Sequence, residues 1–266
     1  MRRVCFTMLL ALSFSVPSFA DVTIKQTTGG KGMGMGGKAT GTTYIKGHKM
    51  RADLTIGDRV QSTIFDIDAQ KAYFFDSKKK EADVWDMAAF AAQMGQSVDA
   101  SAVKASVKPN GQTKAFGDAK ADGYDLLVTV PAAMGGASGP KMTVTLTGPV
   151  WIVKNAPGSA DYANFYQAAA EKGFIFSDPR AAKGQPGQAK AMAEMYKQFA
   201  AIGGIAYETN MQVKLGMDGA DAGPMAGILA KMGNIEIQTL VDGVETTPVA
   251  DDLFAPPAGY KLNSKQ

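Results

Sequence analysis

The sequence predicts an α+β protein built on a large antiparallel β-sheet with a few helices packed on one face. Segments whose hydrophobic side chains recur at every second position outnumber segments with a helical period, and they come in runs separated by hairpin-length turns. Of the 266 residues, 45% are hydrophobic, which is enough to bury a core. This composition excludes collagen, a disulfide scaffold and a fully disordered chain.

The first predicted strands alternate between hydrophobic and polar positions. Met50, Ala52, Leu54 and Ile56 share one face of the second segment, which is typical of an antiparallel strand with one buried face. The predicted strands of this part span residues 22–28, 42–56, 60–67, 71–76 and 81–85.

A tract rich in glycine and methionine interrupts this pattern. Residues 29–37 contain too many glycines for a regular element, and we expect residues 29–41 to form a flexible loop. The thioether pair Met33 and Met35 has no packing explanation in such a loop. Because thioethers bind Cu(I) in exported proteins, a periplasmic copper-binding protein that uses these two residues is one alternative function.

Helical periodicity begins after Asp86, whose carboxylate can cap the first predicted helix. The predicted helices span residues 87–97, 159–172 and 188–202, and Gly203 supplies the C-terminal stop of the last one. The remaining predicted strands span residues 103–108, 112–116, 124–130, 142–147, 150–153, 206–217 and 235–241. Helices do not alternate regularly with strands, which favours an antiparallel sheet over βαβ units.

The first 20 residues have the features of a secretory signal peptide. Arg2 and Arg3 precede a short apolar run, and the small residues Ser18 and Ala20 mark a cleavage site. The run is too short to span a bilayer. We therefore expect cleavage after Ala20, a periplasmic location, no transmembrane segment and a single mature domain of residues 21–266.

The expected mature chain is nearly neutral, contains no cysteine and has one histidine, His48. Near neutrality argues against a nucleic-acid partner. Without a cysteine and with His48 as the only histidine, a His-based catalytic triad can be built in one way at most, and a zinc site lacks its usual ligands. Phosphate-binding loops and dinucleotide-binding fingerprints are also absent from the sequence. The sequence therefore predicts a protein that is not an enzyme and carries no cofactor.

Eight apolar side chains that are in phase on the predicted strands are candidate ligand contacts: Met50, Leu54, Ile56, Met211, Val213, Leu215, Ile235 and Ile237. The predicted helices oppose them with faces rich in Met, Phe and Tyr. The chain has 15 methionines, and methionine adapts to flexible apolar ligands because its unbranched side chain re-packs at low cost. We expect a lipid, an acyl chain or another hydrophobic small molecule between sheet and helices. A filled core would give the same periodicity, so a structural or interaction protein without a small ligand is the other alternative.

Four segments resemble an uncharacterised family of exported bacterial proteins, which is similar in turn to the periplasmic lipoprotein carrier (LolA-like) superfamily. These segments are residues 43–51 (TYIKGHKMR), 65–66 (FD), 71–76 (KAYFFD) and 253–260 (LFAPPAGY). The resemblance implies a strongly curved sheet that forms an open half-barrel, with helices over its concave face as a lid above an apolar cavity. It also implies carriage of a lipid or lipoprotein, with an outer-membrane or lipoprotein partner.

Overall fold

The computed structural model describes residues 21–31, 38–97, 103–133, 141–182, 186–217 and 235–265. Within these residues twelve strands form one sheet: β1 (Val22–Lys31), β2 (Ala39–Lys46), β3 (Lys49–Ile56), β4 (Arg59–Asp66), β5 (Lys71–Asp76), β6 (Glu81–Asp86), β7 (Lys104–Phe116), β8 (Ala119–Ala133), β9 (Lys141–Val153), β10 (Ile205–Met217), β11 (Ile235–Glu245) and β12 (Lys261–Lys265). The helices are α1 (Met87–Ser97), α2 (Ser159–Glu171), α3 (Pro179–Ala182) and α4 (Pro186–Ile202), and a short 3₁₀ helix spans Asp251–Phe254.

The predicted α+β fold is confirmed. The strand order is β12-β6-β5-β4-β3-β2-β1-β11-β10-β9-β8-β7, and the sheet is not closed, so it has the form of a curved half-barrel. Neighbouring strands are antiparallel except for β12, which runs parallel to β6. The C-terminal segment therefore returns to the edge of the sheet at β6.

Three long helices pack on the concave face, and two of them, α2 and α4, define two parts of the core. Helix α2 packs over the β1–β6 part, where Phe165 and Ala169 are fully buried. Helix α4 packs over β7, β8 and β9, where Ala191 and Met195 meet the apolar side chains of the sheet. The helices thus lie side by side, each above its own group of strands.

The predicted loop at residues 29–41 is wrong at both of its ends. Gly29, Gly30 and Lys31 continue β1, and residues 39–41 begin β2. Pairing with β11, in which Gly30 lies opposite Ile237, supplies the backbone hydrogen bonds that hold these glycines extended. Residues 32–37 lie outside the described residues.

Other predicted strand boundaries also differ, and β9 joins the predicted strands at residues 142–147 and 150–153. The segment at residues 42–56 divides into β2 and β3 at Gly47, which has a φ of 54° and occupies the turn. Conversely, the predicted strands at residues 103–108 and 112–116 form the single strand β7. Its register against β8 shifts between Pro109 and Thr113, so the predicted turn is an irregularity inside a strand.

In the described part of the chain, no helix has the length and apolar character needed to cross a membrane.

Candidate ligand-binding cavity

Strand register arranges part of the concave face in three rows that run across the strands. Paired residues belong to one row, and residues two positions apart along a strand fall in successive rows. The inner row consists of Val22, Ile45, Met50, Phe65, Ala72 and Trp85. The middle row consists of Ile24, Thr43, Ala52, Thr63, Phe74 and Asp83. The outer row consists of Gln26, Gly41, Leu54, Gln61 and Asp76.

Polarity rises from the inner row to the outer row. The inner row is entirely apolar, and none of its members is more than 6% exposed. The middle row mixes apolar residues with two threonines and Asp83, and the outer row carries two amides and a carboxylate among five residues. The concave face therefore changes from a sealed core under α2 to a polar opening.

A cavity of about 480 Å³ lies between the middle row and the helices. Its helical wall consists of Tyr162 and Tyr166 from α2 and Tyr196 from α4. Phe176, from the connection between α2 and α3, completes this wall. The space is thus bounded by the sheet on one side and by aromatic rings on the other.

Phe176 joins the rings of this wall. Its centroid lies 5.3 Å from that of Phe65 and 5.2 Å from those of Tyr166 and Tyr196. The rings of Tyr166 and Tyr196 stack at 5.0 Å with an interplanar angle of 11°. Because such aromatic pairs stabilise a fold beyond the area they bury, the wall acts as one packed unit that joins α2, α4 and β4.

The aromatic wall carries hydroxyl groups but no charge at neutral pH. The hydroxyl of Tyr166 donates to Sδ of Met50 at 3.8 Å. Burial raises the pKa of Tyr162, Tyr166 and Tyr196 above the ordinary value of 10.0. All three side chains therefore stay protonated under physiological conditions.

Contacts at both ends fix α2 over the inner row. Gly158, which precedes the helix at a φ of 71°, packs so closely that a Cβ would lie 2.5 Å from Cγ2 of Val22. Beyond the other end, Lys172 Nζ donates to Asp68 Oδ1 at 2.8 Å, and His48 Nδ1 lies 3.1 Å from the same carboxylate. Lys172, and after it His48, hold the pKa of Asp68 below its ordinary value.

A smaller hollow of about 280 Å³, here called the vestibule, adjoins the cavity at the outer row. It shares Gln61, Thr63, Phe74 and Asp178 with the cavity lining. Three cationic and four acidic side chains line it: Arg59, Lys79, Arg180, Asp76, Glu81, Asp83 and Asp178. The cavity thus opens into a polar space of mixed charge.

The two arginines of the vestibule are already paired. Arg59 contacts Asp76 at 2.8 Å, and Arg180 contacts Asp178 at 2.6 Å and Asp83 at 3.1 Å. The guanidinium of Arg180 also lies 5.6 Å from the ring centroid of Phe74. These contacts join the segment after α2 to β5 and β6 beside the cavity.

The eight predicted contacts are not brought together in one site. Met50 lines the cavity, whereas Leu54 lies in the outer row and Ile56 is 52% exposed. Met211 and Ile237 line a separate hollow of about 560 Å³ formed by β1, β9, β10 and β11. Of the remaining three, Ile235 is buried and the other two, Val213 and Leu215, are half-buried.

Sequence reasoning missed the polar and the irregular parts of the cavity. Thr43 and Thr63 are in phase with apolar residues of β2 and β4, so strand alternation could have identified both as inward-facing. Phe176 gives no periodic signal, because it lies between helices. Met33 and Met35 lie outside the described residues, so copper binding stays a prediction. In the described part, no group of three or more His, Cys, Asp or Glu side chains could hold a metal ion.

No protein-family model and no curated protein matches the chain. Among solved structures, the chain is similar to PNGF-II, crystallised in space group C2, with 10% sequence identity and a TM-score of 0.37. The alignment covers 92% of this chain and 31% of PNGF-II, so the chain spans about a third of that protein's length. At this level of similarity, the comparison supports no statement about function.

Proposed function

We propose that the protein is a binding protein that holds a lipid, an acyl chain or another hydrophobic ligand between the sheet and the helices. The observation that carries this proposal is the cavity of about 480 Å³ under α2 and α4. Ligand sites in proteins have volumes of roughly 300 to 1,000 Å³ and are lined mainly by apolar and aromatic side chains. The rings of the helical wall and the side chain of Met50 supply such a lining.

The chemistry of the lining favours binding over catalysis. The wall tyrosines are held neutral, and the carboxylates near the cavity lie in the vestibule, where arginine pairs with three of them. A group that transfers protons at neutral pH needs a pKa near the working pH. We therefore propose a carrier or binding role without an enzymatic step.

We also propose that the protein acts outside the cytoplasm, in the periplasm. Residues 1–20 have the pattern of a cleaved signal peptide, and four segments resemble an uncharacterised family of exported proteins that is similar in turn to the LolA-like carriers. A periplasmic carrier must load and release its ligand. We therefore include an outer-membrane or lipoprotein partner in the proposal.

Native mass spectrometry and lipid extraction of the protein purified from its own periplasm test this function. We expect a stoichiometric hydrophobic ligand and micromolar binding of the neutral probe 1-N-phenylnaphthylamine. Ala52→Phe should abolish probe binding, because Ala52 lies in the middle row of the cavity floor. Ala115→Phe, at an exposed position of β7, is the matched control and should bind normally. An empty protein that binds no probe would leave a structural or interaction role.

A further inference from the structure

Four polar side chains lie on the sheet side of the cavity where a simple apolar pocket would have none. Thr43 and Thr63 belong to the middle row, and Gln26 and Gln61 belong to the outer row. In the part of the chain that the structure describes, none of these four side chains has a hydrogen-bond partner. They are available to a ligand.

The four groups occupy one edge of the cavity. Thr43 and Thr63 flank Ala52 from the neighbouring strands, and Gln61 precedes Thr63 by two residues along β4. Gln26 lies across Gly41, where a Cβ would come within 3.1 Å of its Cγ. Hydroxyl and amide groups therefore face the space from four strand positions, opposite the ring wall.

A pure hydrocarbon is complementary to the aromatic wall of this cavity but not to its sheet side. Against the rings it would gain apolar contact, but against the sheet it would remove water from hydroxyls and amides without replacing their hydrogen bonds. A ligand with ester, amide or hydroxyl groups along one side would satisfy both surfaces. The cavity thus selects an amphiphile.

The vestibule disfavours a negatively charged head. Its acidic side chains outnumber its cationic ones by four to three, and both arginines are already paired with carboxylates. Arg59 holds the pKa of Asp76 below its ordinary value, so that carboxylate remains ionised. A free carboxylate or phosphate would have to break one of these pairs to gain an arginine. The remaining cation, Lys79, is exposed to solvent, where an ion pair contributes little.

We propose that the ligand is an uncharged amphiphile: its ester, amide or hydroxyl groups bond to Gln26, Thr43, Gln61 and Thr63, and its apolar chain lies against the aromatic wall. This inference rests on the proposed function, because it names the ligand class of the same cavity. Such a head occurs in partial glycerides and in N-acyl amides.

Displacement of bound 1-N-phenylnaphthylamine by ligands of equal chain length tests the ligand class. The series comprises a monoacylglycerol, a primary fatty amide, the free fatty acid, an alkyl ammonium and the alkane, all at pH 8. We expect the monoacylglycerol or the amide to bind at least about tenfold more tightly than the acid, the ammonium and the alkane. The better of these two identifies the glyceride or the amide source.

Two conservative variants test the assigned residues. Thr43→Val and Thr63→Val should each weaken binding of the preferred neutral amphiphile about fivefold, because each removes one hydrogen bond, and should leave alkane binding unchanged. Thr42→Val is the control. Thr42 neighbours Thr43 on β2, but it pairs with Lys25 and Asp53 and points to the opposite face.

The outcomes separate this inference from the proposed function. If the probe binds but the acid, the ammonium or the alkane competes as well as the neutral amphiphiles, the inference is overturned and the binding function stands. Equal effects of Thr42→Val and Thr43→Val would also overturn the inference. If the probe does not bind at all, both the inference and the proposed function are contradicted.

Discussion

The two helix-covered regions of the sheet are built alike but filled differently. Under α4, the inward side chains of β8 and β9 include Leu126, Val128, Val150 and Ile152, which are apolar and at most 3% exposed. Under α2, the inner row is equally sealed, but the next row contains Thr43, Ala52 and Thr63, which are half-buried. The first region, here called the solid core, is closely packed, whereas the cavity lies over the second region and reaches α4 at Tyr196.

The difference shows that side chains, not the architecture, decide whether the half-barrel holds a space. Helix α4 presents Ala191, which is 1% exposed, and so can approach the sheet closely. Helix α2 presents Tyr162 and Tyr166, which meet Phe176 and Tyr196 instead of filling the volume above the threonines. Small polar residues on the floor and large rings on the wall leave a space between them.

The largest expected difference in stability is between two leucine truncations, one in each region. Leu126→Ala removes a side chain from the solid core and should lower the free energy of unfolding by about 2–5 kcal/mol. Leu54→Ala, in the half-buried outer row, should cost roughly 1 kcal/mol, because water already reaches this position. Urea unfolding monitored by circular dichroism measures both values. Equal losses would contradict the distinction between the two regions.

The attachment of α2 gives the second largest expected effect. Gly158→Ala should cost about 2–4 kcal/mol, because the positive φ disfavours a side chain and the new Cβ meets Val22 of the inner row. Gly173, after the other end of α2, also has a positive φ, but a Cβ added there would meet no atom within 4 Å. Gly173→Ala should therefore cost only about 1 kcal/mol in the same denaturant series. If Gly158→Ala costs no more stability than Gly173→Ala, Gly158 does not hold α2 against the inner row.

Local signals were sufficient to place the three long helices, but not the short helix α3. Predicted residues 87–97 match α1, and the other two long helices agree within two residues at each end. The reasons are visible in the structure: Asp86 Oδ1 accepts from the N–H of Ala89 at 2.9 Å, and Gly203 adopts a φ of 74° and donates to the carbonyl of Phe199. Caps and stops act within a few residues, so the sequence alone reveals them.

Pairing between distant strands could not be predicted in the same way. Gly29 and Gly30 are extended because β11, more than 200 residues later, pairs with them. The cavity depends on distant contacts too: strand phase put Met50 inward, but the positions of α2 and α4 decide that Met50 lines the cavity and Ile56 does not. The alternation of inward and outward residues is a local property of a strand, whereas the helix that covers a given residue is set by tertiary packing.

Exchanging threonine and valine tests polarity separately from volume. Val128→Thr places a hydroxyl in the solid core under α4 and should lower the free energy of unfolding by about 1–3 kcal/mol. Thr63→Val, on the cavity floor, should change it by less than about 0.5 kcal/mol, because its hydroxyl has no partner within the described residues. Thermal and urea unfolding at pH 7 measure the pair. A loss for Thr63→Val as large as that for Val128→Thr would mean that the floor is packed as tightly as the other region.

The smallest expected effect lies on the alkaline side and concerns the cavity wall. Burial raises the pKa of Tyr162, so the folded protein keeps this proton above pH 10, where an unfolded tyrosine loses it. The resulting stabilisation is fully present below pH 10 and is lost as the pH rises further, since the unfolded state then binds fewer protons than the folded state. Each such tyrosine should cost about 1 kcal/mol of unfolding free energy between pH 10 and 11. Tyr162→Phe should reduce this alkaline loss of unfolding free energy by about 1 kcal/mol and leave the stability at pH 7 nearly unchanged. Urea titrations of both proteins at pH 7, 10 and 11 measure it, and parallel declines would show that the Tyr162 hydroxyl is open to water in the folded protein.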